Sequence, residues 1–162
     1  MAMGGADIGA LRMLEVLTNE GFRVTIACTL YDPPISVVLQ PLFTQWTHDI
    51  HILPSFLRAS DMAPYIAYLA QTRSITSILF SNSMLLYDLL PVLREKLPAS
   101  TAFVDYLHNE SEDWKSGGYP RYSLLYQRYI DRTVASSEYL KDWLVSRGHH
   151  PTRIGVVKLG VD

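Results

Sequence analysis

The chain has 162 residues, a formal charge of −2 at pH 7 and one cysteine. Fourteen Lys and Arg against sixteen Asp and Glu exclude a strongly basic nucleic-acid binder, and a lone cysteine excludes an internal disulfide framework. With 48% apolar and 19% charged residues, and no apolar run long enough to span a bilayer, the expectation is a soluble, cytoplasmic domain with its own core.

Met1 to Gly5 lacks the basic stretch and apolar segment of a signal peptide. Ala6 to Glu20 is periodic, with Ile8, Leu11, Leu14 and Val16 or Leu17 as an apolar stripe, and reads as a helix closed at Gly21. Arg23 to Thr29 reads as a buried strand, followed by a break at Asp32-Pro33-Pro34. Ser36 to Phe43 suits a short helix stopped or kinked at Pro41. Asp49 to Leu53 alternates like a strand. Asp61 is the expected N-cap of a helix from Met62 to Thr72, with Pro64 in its first turn.

Ile75 to Phe80 is the next strand. Ser83 or Asn82 caps a helix from Met84 to Leu97, with a kink or boundary expected at Pro91. Thr101 to Val104 is a short strand with Asp105 to His108 at its carboxyl end, and Asn109 to Arg121 reads as a polar loop. Tyr122 to Ile130 is helical, and its Tyr122, Tyr126 and Tyr129 recur at a spacing that favours packing. Arg132 to Ala135 is a strand. Ser137 caps a helix from Glu138 to Arg147, closed by Gly148, and Ile154 to Lys158 is the last strand.

This alternation predicts an α/β fold, a Rossmann-like parallel sheet with helices on both faces. Ligands in such sheets bind beyond the carboxyl ends of the strands. The candidate loops are therefore Gly4-Gly5, Thr29 to Pro34, Ser81-Asn82-Ser83, Asp105 to Gly118 and Ser136 to Glu138.

Each loop has a chemical and a bland reading. Gly4-Gly5 ahead of a helix suits close approach of a phosphate or sugar hydroxyl, or simply a tight turn. It does not fit the G-x-G-x-x-G dinucleotide fingerprint. His108 at a strand end suits hydrogen bonding to a sugar or phosphate, or acid–base work, and equally a surface position in an acidic loop. His48, His51, His149 and His150 read as structural or solvent-facing. The run from Trp114 and Lys115 through Tyr119 to Arg121 offers aromatics and cations for a sugar or an anion, or packs back on the domain. Ser136, Ser137 and Glu138 form a capping arrangement that also presents hydroxyls and amides. His108, Glu110, Glu112 and Asp113 lack the spacing of a zinc or EF-hand site. Cys28 reads as a small buried thiol, and no G-x-S-x-G elbow supports a hydrolase triad.

Taken in order, these segments resemble the N-terminal domain of a family 4 (group 1) glycosyltransferase. The opening Gly4-Gly5-Ala6-Asp7, then Glu20-Gly21-Phe22-Arg23-Val24-Thr25-Ile26, are similar to that family's glycine loop, helix and following strand. Asp131 to Lys141 resembles its "Asp-x-Val-Ile-Ala-x-Ser-x-x-Leu-Lys" segment. Ile154 to Asp162 is similar to its crossing between two domains. Asp7 stands where the family more often has Glu.

The resemblance implies one half of a GT-B fold, with residues 1–162 as the acceptor-side domain of a retaining enzyme. Such an enzyme moves a sugar from a nucleotide-sugar donor to a hydroxyl acceptor on a glycan, lipid or small molecule. It implies His108 in contact with the donor sugar, and Gly4 and Gly5 near donor phosphates and acceptor. Ser81, Asn82, Trp114, Lys115, Tyr119, Arg121, Ser136, Ser137 and Glu138 join Gly4, Gly5 and Asp7 as candidate substrate-binding residues. It implies no cofactor and no catalytic metal, a missing C-terminal donor domain, and a fragment inactive alone. Peripheral membrane contact follows only where the acceptor is a lipid. The competing readings are a non-catalytic carbohydrate- or protein-binding module on the same fold, and half of a sugar-nucleotide epimerase.

Overall fold

The computed structural model describes residues 5–30, 40–114 and 117–158. The chain divides into two compact units, Met1–Met62 and Ala63–Asp162.

The first unit opens with α1 (Gly5–Asn19). Its end is closed by Gly21 at φ +85°, where the Gly21 and Phe22 N–H groups donate to the Thr18 and Leu17 carbonyls. That left-handed turn is what a glycine at this place supplies. The expected apolar stripe is narrower than its spacing suggested: Leu14 and Gly9 are buried, whereas Ile8 and Val16 are exposed. The strand expected over Arg23–Thr29 is only β1 (Ile26–Cys28), with Ala27 exposed. It pairs in parallel with β2 (Ile50–Ile52), and a two-stranded ribbon has too little surface to bury either strand fully. Cys28 is accordingly half-buried, with its thiol pKa raised by that burial. Asp49 ties the two strands, accepting from the Thr25 hydroxyl at 2.6 Å and pairing with His51 Nε2 at 2.8 Å. His51 is thus a structural histidine. Residues 40–43 are helical, Pro41 included. The rest of the expected Ser36–Phe43 helix, and the break at Asp32–Pro34, lie outside the described residues.

The helix α2 (Ala59–Thr72) begins earlier than expected. Asp61 is not its cap but lies in the first turn, where the Asp61 N–H already donates to the Arg58 carbonyl. A carboxylate there still complements the helix dipole. Pro64 sits inside the helix.

The second unit repeats strand and helix: β3 (Ser77–Ser81), α3 (Met84–Lys96), β4 (Ala102–Leu107), α4 (Gly118–Tyr126), β5 (Arg132–Ala135), α5 (Glu138–Ser146) and β6 (Ile154–Val156). The four strands are parallel in the order β3-β4-β5-β6. The expected α/β, Rossmann-like arrangement of parallel strands flanked by helices is what forms, as in one half of a GT-B fold.

The local signals explain most boundaries. Ser83 and Ser137 cap α3 and α5, accepting from the Leu86 and Leu140 N–H groups at 3.1 Å each. Each cap satisfies a donor that the helix start leaves open. Pro91 neither ends nor bounds α3, which runs through it to Lys96. β4 is longer than Thr101–Val104 and carries Asp105 into the sheet, fully buried. The loop expected over Asn109–Arg121 ends sooner, because α4 starts at Gly118. The last strand stops at Val156 rather than Lys158.

The core beneath β5 and β6 is Leu107, Ala135, Leu140, Trp143, Leu144 and Ile154. The alternation of Thr133 and Ala135 with more exposed neighbours places one face of β5 inward. Tyr122 and Tyr126 pack against buried Tyr87, with ring centroids 5.8 and 6.0 Å apart, so the tyrosine spacing serves packing as expected.

Candidate functional site

Register decides which side chains meet at the carboxyl end of the four-stranded sheet. Ser81 is paired with Tyr106, and Leu107 with Ala135, so β3, β4 and β5 end nearly level. His108 follows β4 directly and Ser136 follows β5 directly.

These three residues form one cluster. Ser81 Oγ lies 2.8 Å from His108 Nε2. The Ser136 hydroxyl donates to the His108 carbonyl at 2.5 Å, and the Ser136 N–H donates to the Leu107 carbonyl at 3.0 Å. Tyr106 stacks beside the imidazole with 4.6 Å between ring centroids. The Tyr106 hydroxyl donates to the Val157 carbonyl at 3.2 Å, beyond the end of β6. His108 as a residue is half-buried, its Nδ1 atom buried and its Nε2 engaged by Ser81.

The arrangement suits a hydrogen-bonding imidazole placed where a polar ligand meets the strand ends. Imidazole presents one donor and one acceptor when neutral and two donors when charged. It can therefore bind a sugar hydroxyl in either state, and a phosphate when protonated.

The other sequence candidates divide. Ser137 spends its hydroxyl on the α5 cap, and Glu138 lies 3.6 Å from Lys141 on the exposed first turn. Asn82 is exposed and takes a left-handed φ of +53°, making the turn from β3 into α3. Trp114 and Tyr119 form an aromatic pair at 5.1 Å, with Trp114 partly exposed and Arg121 exposed nearby in sequence. Gly117 has φ +122°, and a Cβ there would come within 3.2 Å of the Trp143 ring. Only glycine fits that approach between the loop and α5. Gly5 and Asp7 lie in the first turn of α1, in the first unit. Gly4 and Lys115 lie outside the described residues. The acidic run after His108 is committed elsewhere: Glu110 accepts from the Tyr139 hydroxyl at 2.9 Å, and Glu112 lies 3.9 Å from Arg147.

Two features escaped the sequence reading. Tyr106 shares a strand face with His108 at a two-residue spacing, a signal that strand periodicity contains. The other is a buried polar chain. The Tyr87 hydroxyl donates to Asp105 at 3.1 Å, Ser123 lies 3.5 Å from Thr133, and Thr133 lies 3.1 Å from His149 Nε2. Burial raises the Asp105 pKa, opposed by the hydroxyls of Ser123, Thr133 and Tyr87. Burial lowers that of His149 and keeps it neutral. Asp105 is therefore a core residue rather than a cleft acid.

A family model described as Glycosyltransferase Family 4 matches residues 3–162. The chain belongs to glycosyltransferase family 4. Among solved structures it is similar to the crystal structure of the Bacillus cereus spore cortex-lytic enzyme SleL, at 11% identity and a TM-score of 0.52. That likeness covers 90% of this chain and 38% of the other, and at such identity it concerns the fold alone. No curated protein matches the chain. Membership of the family places the cluster around His108 in a glycosyltransferase-related domain. Among the described residues no helix is long and apolar enough to cross a membrane.

Proposed function

We propose that this chain is the acceptor-side, N-terminal domain of a retaining, group 1 glycosyltransferase. The enzyme moves a sugar from a nucleotide-sugar donor to a hydroxyl acceptor on a glycan, lipid or small molecule. The supporting observation is the His108 imidazole, held at the ends of adjacent parallel strands by Ser81 and flanked by Tyr106.

In this reading His108 hydrogen-bonds the donor sugar and orients it for transfer. Orientation of a reactant within a fixed frame lowers the barrier by prepaying entropy. Negative charge builds on the leaving diphosphate, and its stabilisation is the larger electrostatic requirement. A donor-binding domain of the same enzyme supplies that stabilisation, with no metal and no cofactor. This chain alone accordingly transfers no sugar. Gly4, together with Gly5 and Asp7 of the first turn of α1, and the Trp114–Arg121 segment, Lys115 and Tyr119 included, contribute contacts to the substrates. So do Asn82 and Glu138. The protein works in the cytoplasm, touching a membrane only where the acceptor is a lipid.

The test is His108→Ala in the complete enzyme. Loss of one well-placed hydrogen-bonding group in the transition state costs about 100-fold or more in turnover. Circular dichroism should show the fold intact. Turnover equal to wild type removes His108 from the site, whereas no sugar transfer by the unmodified complete protein leaves a non-catalytic binding module as the reading.

A further inference from the structure

A histidine that binds a substrate hydroxyl must present its ring at a set angle. Imidazole on a single-bonded stem rotates about two torsions, and the second is broad and roughly two-fold. Something must therefore choose the ring plane. Three contacts converge on His108. Ser136 fixes the main chain by donating to the His108 carbonyl. The Tyr106 ring flanks the imidazole at 4.6 Å. Ser81 engages Nε2 at 2.8 Å.

We propose that Ser81 is the positioning residue for His108: its hydroxyl sets the imidazole plane by bonding Nε2, and it does not itself bind substrate. The inference rests on the proposed role of His108, yet its own geometry lies entirely within the second unit. Among these contacts only Ser81 is directional toward a ring nitrogen. A hydroxyl donates or accepts, so it satisfies Nε2 in either neutral tautomer and in the charged form. Ser81 is also well placed to be rigid. It is the last residue of β3 and is locked in register opposite Tyr106, the residue whose ring lies beside His108.

The role differs from the substrate-binding one expected from the sequence. A serine that contacts sugar directly would affect binding of substrate and leave the empty imidazole undisturbed. A serine that positions His108 changes the imidazole before any substrate is present.

The test is imidazole nitrogen NMR on the 162-residue chain without ligand. Ser81→Ala should shift the His108 Nε2 resonance and lower the order of the ring on the fast timescale. The His149 resonances, in the separate Thr133 contact, should stay in place and report an intact fold. Ser81→Thr, which keeps the hydroxyl, should restore the wild-type Nε2 position. Ser81→Cys, close in volume with a weak donor, should behave as Ser81→Ala. It keeps the proposal testable if alanine perturbs the strand. An unchanged Nε2 resonance in both the alanine and the cysteine variants overturns the proposal. Because this readout needs no turnover, it separates from the proposed function. A shifted Nε2 with fully active His108→Ala keeps the positioning contact and discards the catalytic reading.

Discussion

The two ends of the four-stranded sheet are built for different purposes. At the amino end, Arg94 makes four hydrogen bonds. Its guanidinium donates twice to the Tyr129 carbonyl at 2.9 and 2.7 Å, to the Thr101 carbonyl at 3.1 Å and to Asp131 at 2.6 Å. Asp131 in turn accepts from the Phe103 N–H at 2.7 Å, and Arg94 lies over the Phe103 ring at 4.4 Å. One side chain thus stitches α3 to the segments that enter β4 and β5. At the carboxyl end, Ser81, Tyr106, His108 and Ser136 meet through fewer bonds. One end is tied by a charged guanidinium to several partners, the other by single bonds between neutral groups around one imidazole. The difference shows where polar groups carry most of the stitching of the sheet.

The largest expected effect on stability is therefore at the amino end. Arg94→Ala removes a charged donor from several partners and should cost about 2–3 kcal/mol, the scale of hydrogen bonds to charged groups. Urea unfolding followed by circular dichroism measures it, and a loss below about 1 kcal/mol breaks the contrast. Arg94→Lys should recover only part, because an ammonium lacks the planar fork that reaches these partners together.

The second expectation concerns acid. Burial lowers the His149 pKa, so the folded state resists the proton that the unfolded chain accepts. Stability should be unaffected well above the ordinary histidine value of 6.5 and should fall as the pH drops below it. The groups around it are Thr133, the His150 carbonyl and side chain, and Arg153. Asp105 acts in the opposite sense at lower pH, since its raised pKa lets the folded state bind a proton first. His149→Gln isolates the histidine contribution. Its unfolding free energy should lose a slope of at most about 1.4 kcal/mol per pH unit, and an unchanged slope excludes His149 as the source.

The smallest effect belongs to the carboxyl end. His108→Ala should cost about 1 kcal/mol of unfolding free energy, the net scale of the single hydrogen bond to Ser81 that it removes. The same change costs about 100-fold in sugar transfer under the proposed function. A residue that matters more to turnover than to stability is what distinguishes the two ends.

Much of this could be read from the residues. Ser83 and Ser137 announced their helices because a hydroxyl before a helix start has an obvious donor to satisfy. Gly21 and Gly148 closed helices as glycine at positive φ does. Arg132–Ala135 was legible to the residue because a short β-branched run lies between clear polar breaks. Asp61 was misplaced because a carboxylate favours the cap and the first turn alike. The boundary weighed at Pro91 does not form, since α3 runs through it to Lys96. Tyr106 was unread as a site residue, since aromatics in a strand read first as core.

The sequence alone determined the order of strands and helices, the Ser83 and Ser137 caps and the family to which the chain belongs. These depend on near neighbours and on local periodicity, which a chain carries in itself. Tertiary structure decided that Ser81 faces His108, that Ser136 holds its carbonyl, and that Asp105 lies in the core. Those outcomes depend on parallel strand register, which is set between segments 27 and 28 residues apart and is invisible until they pair.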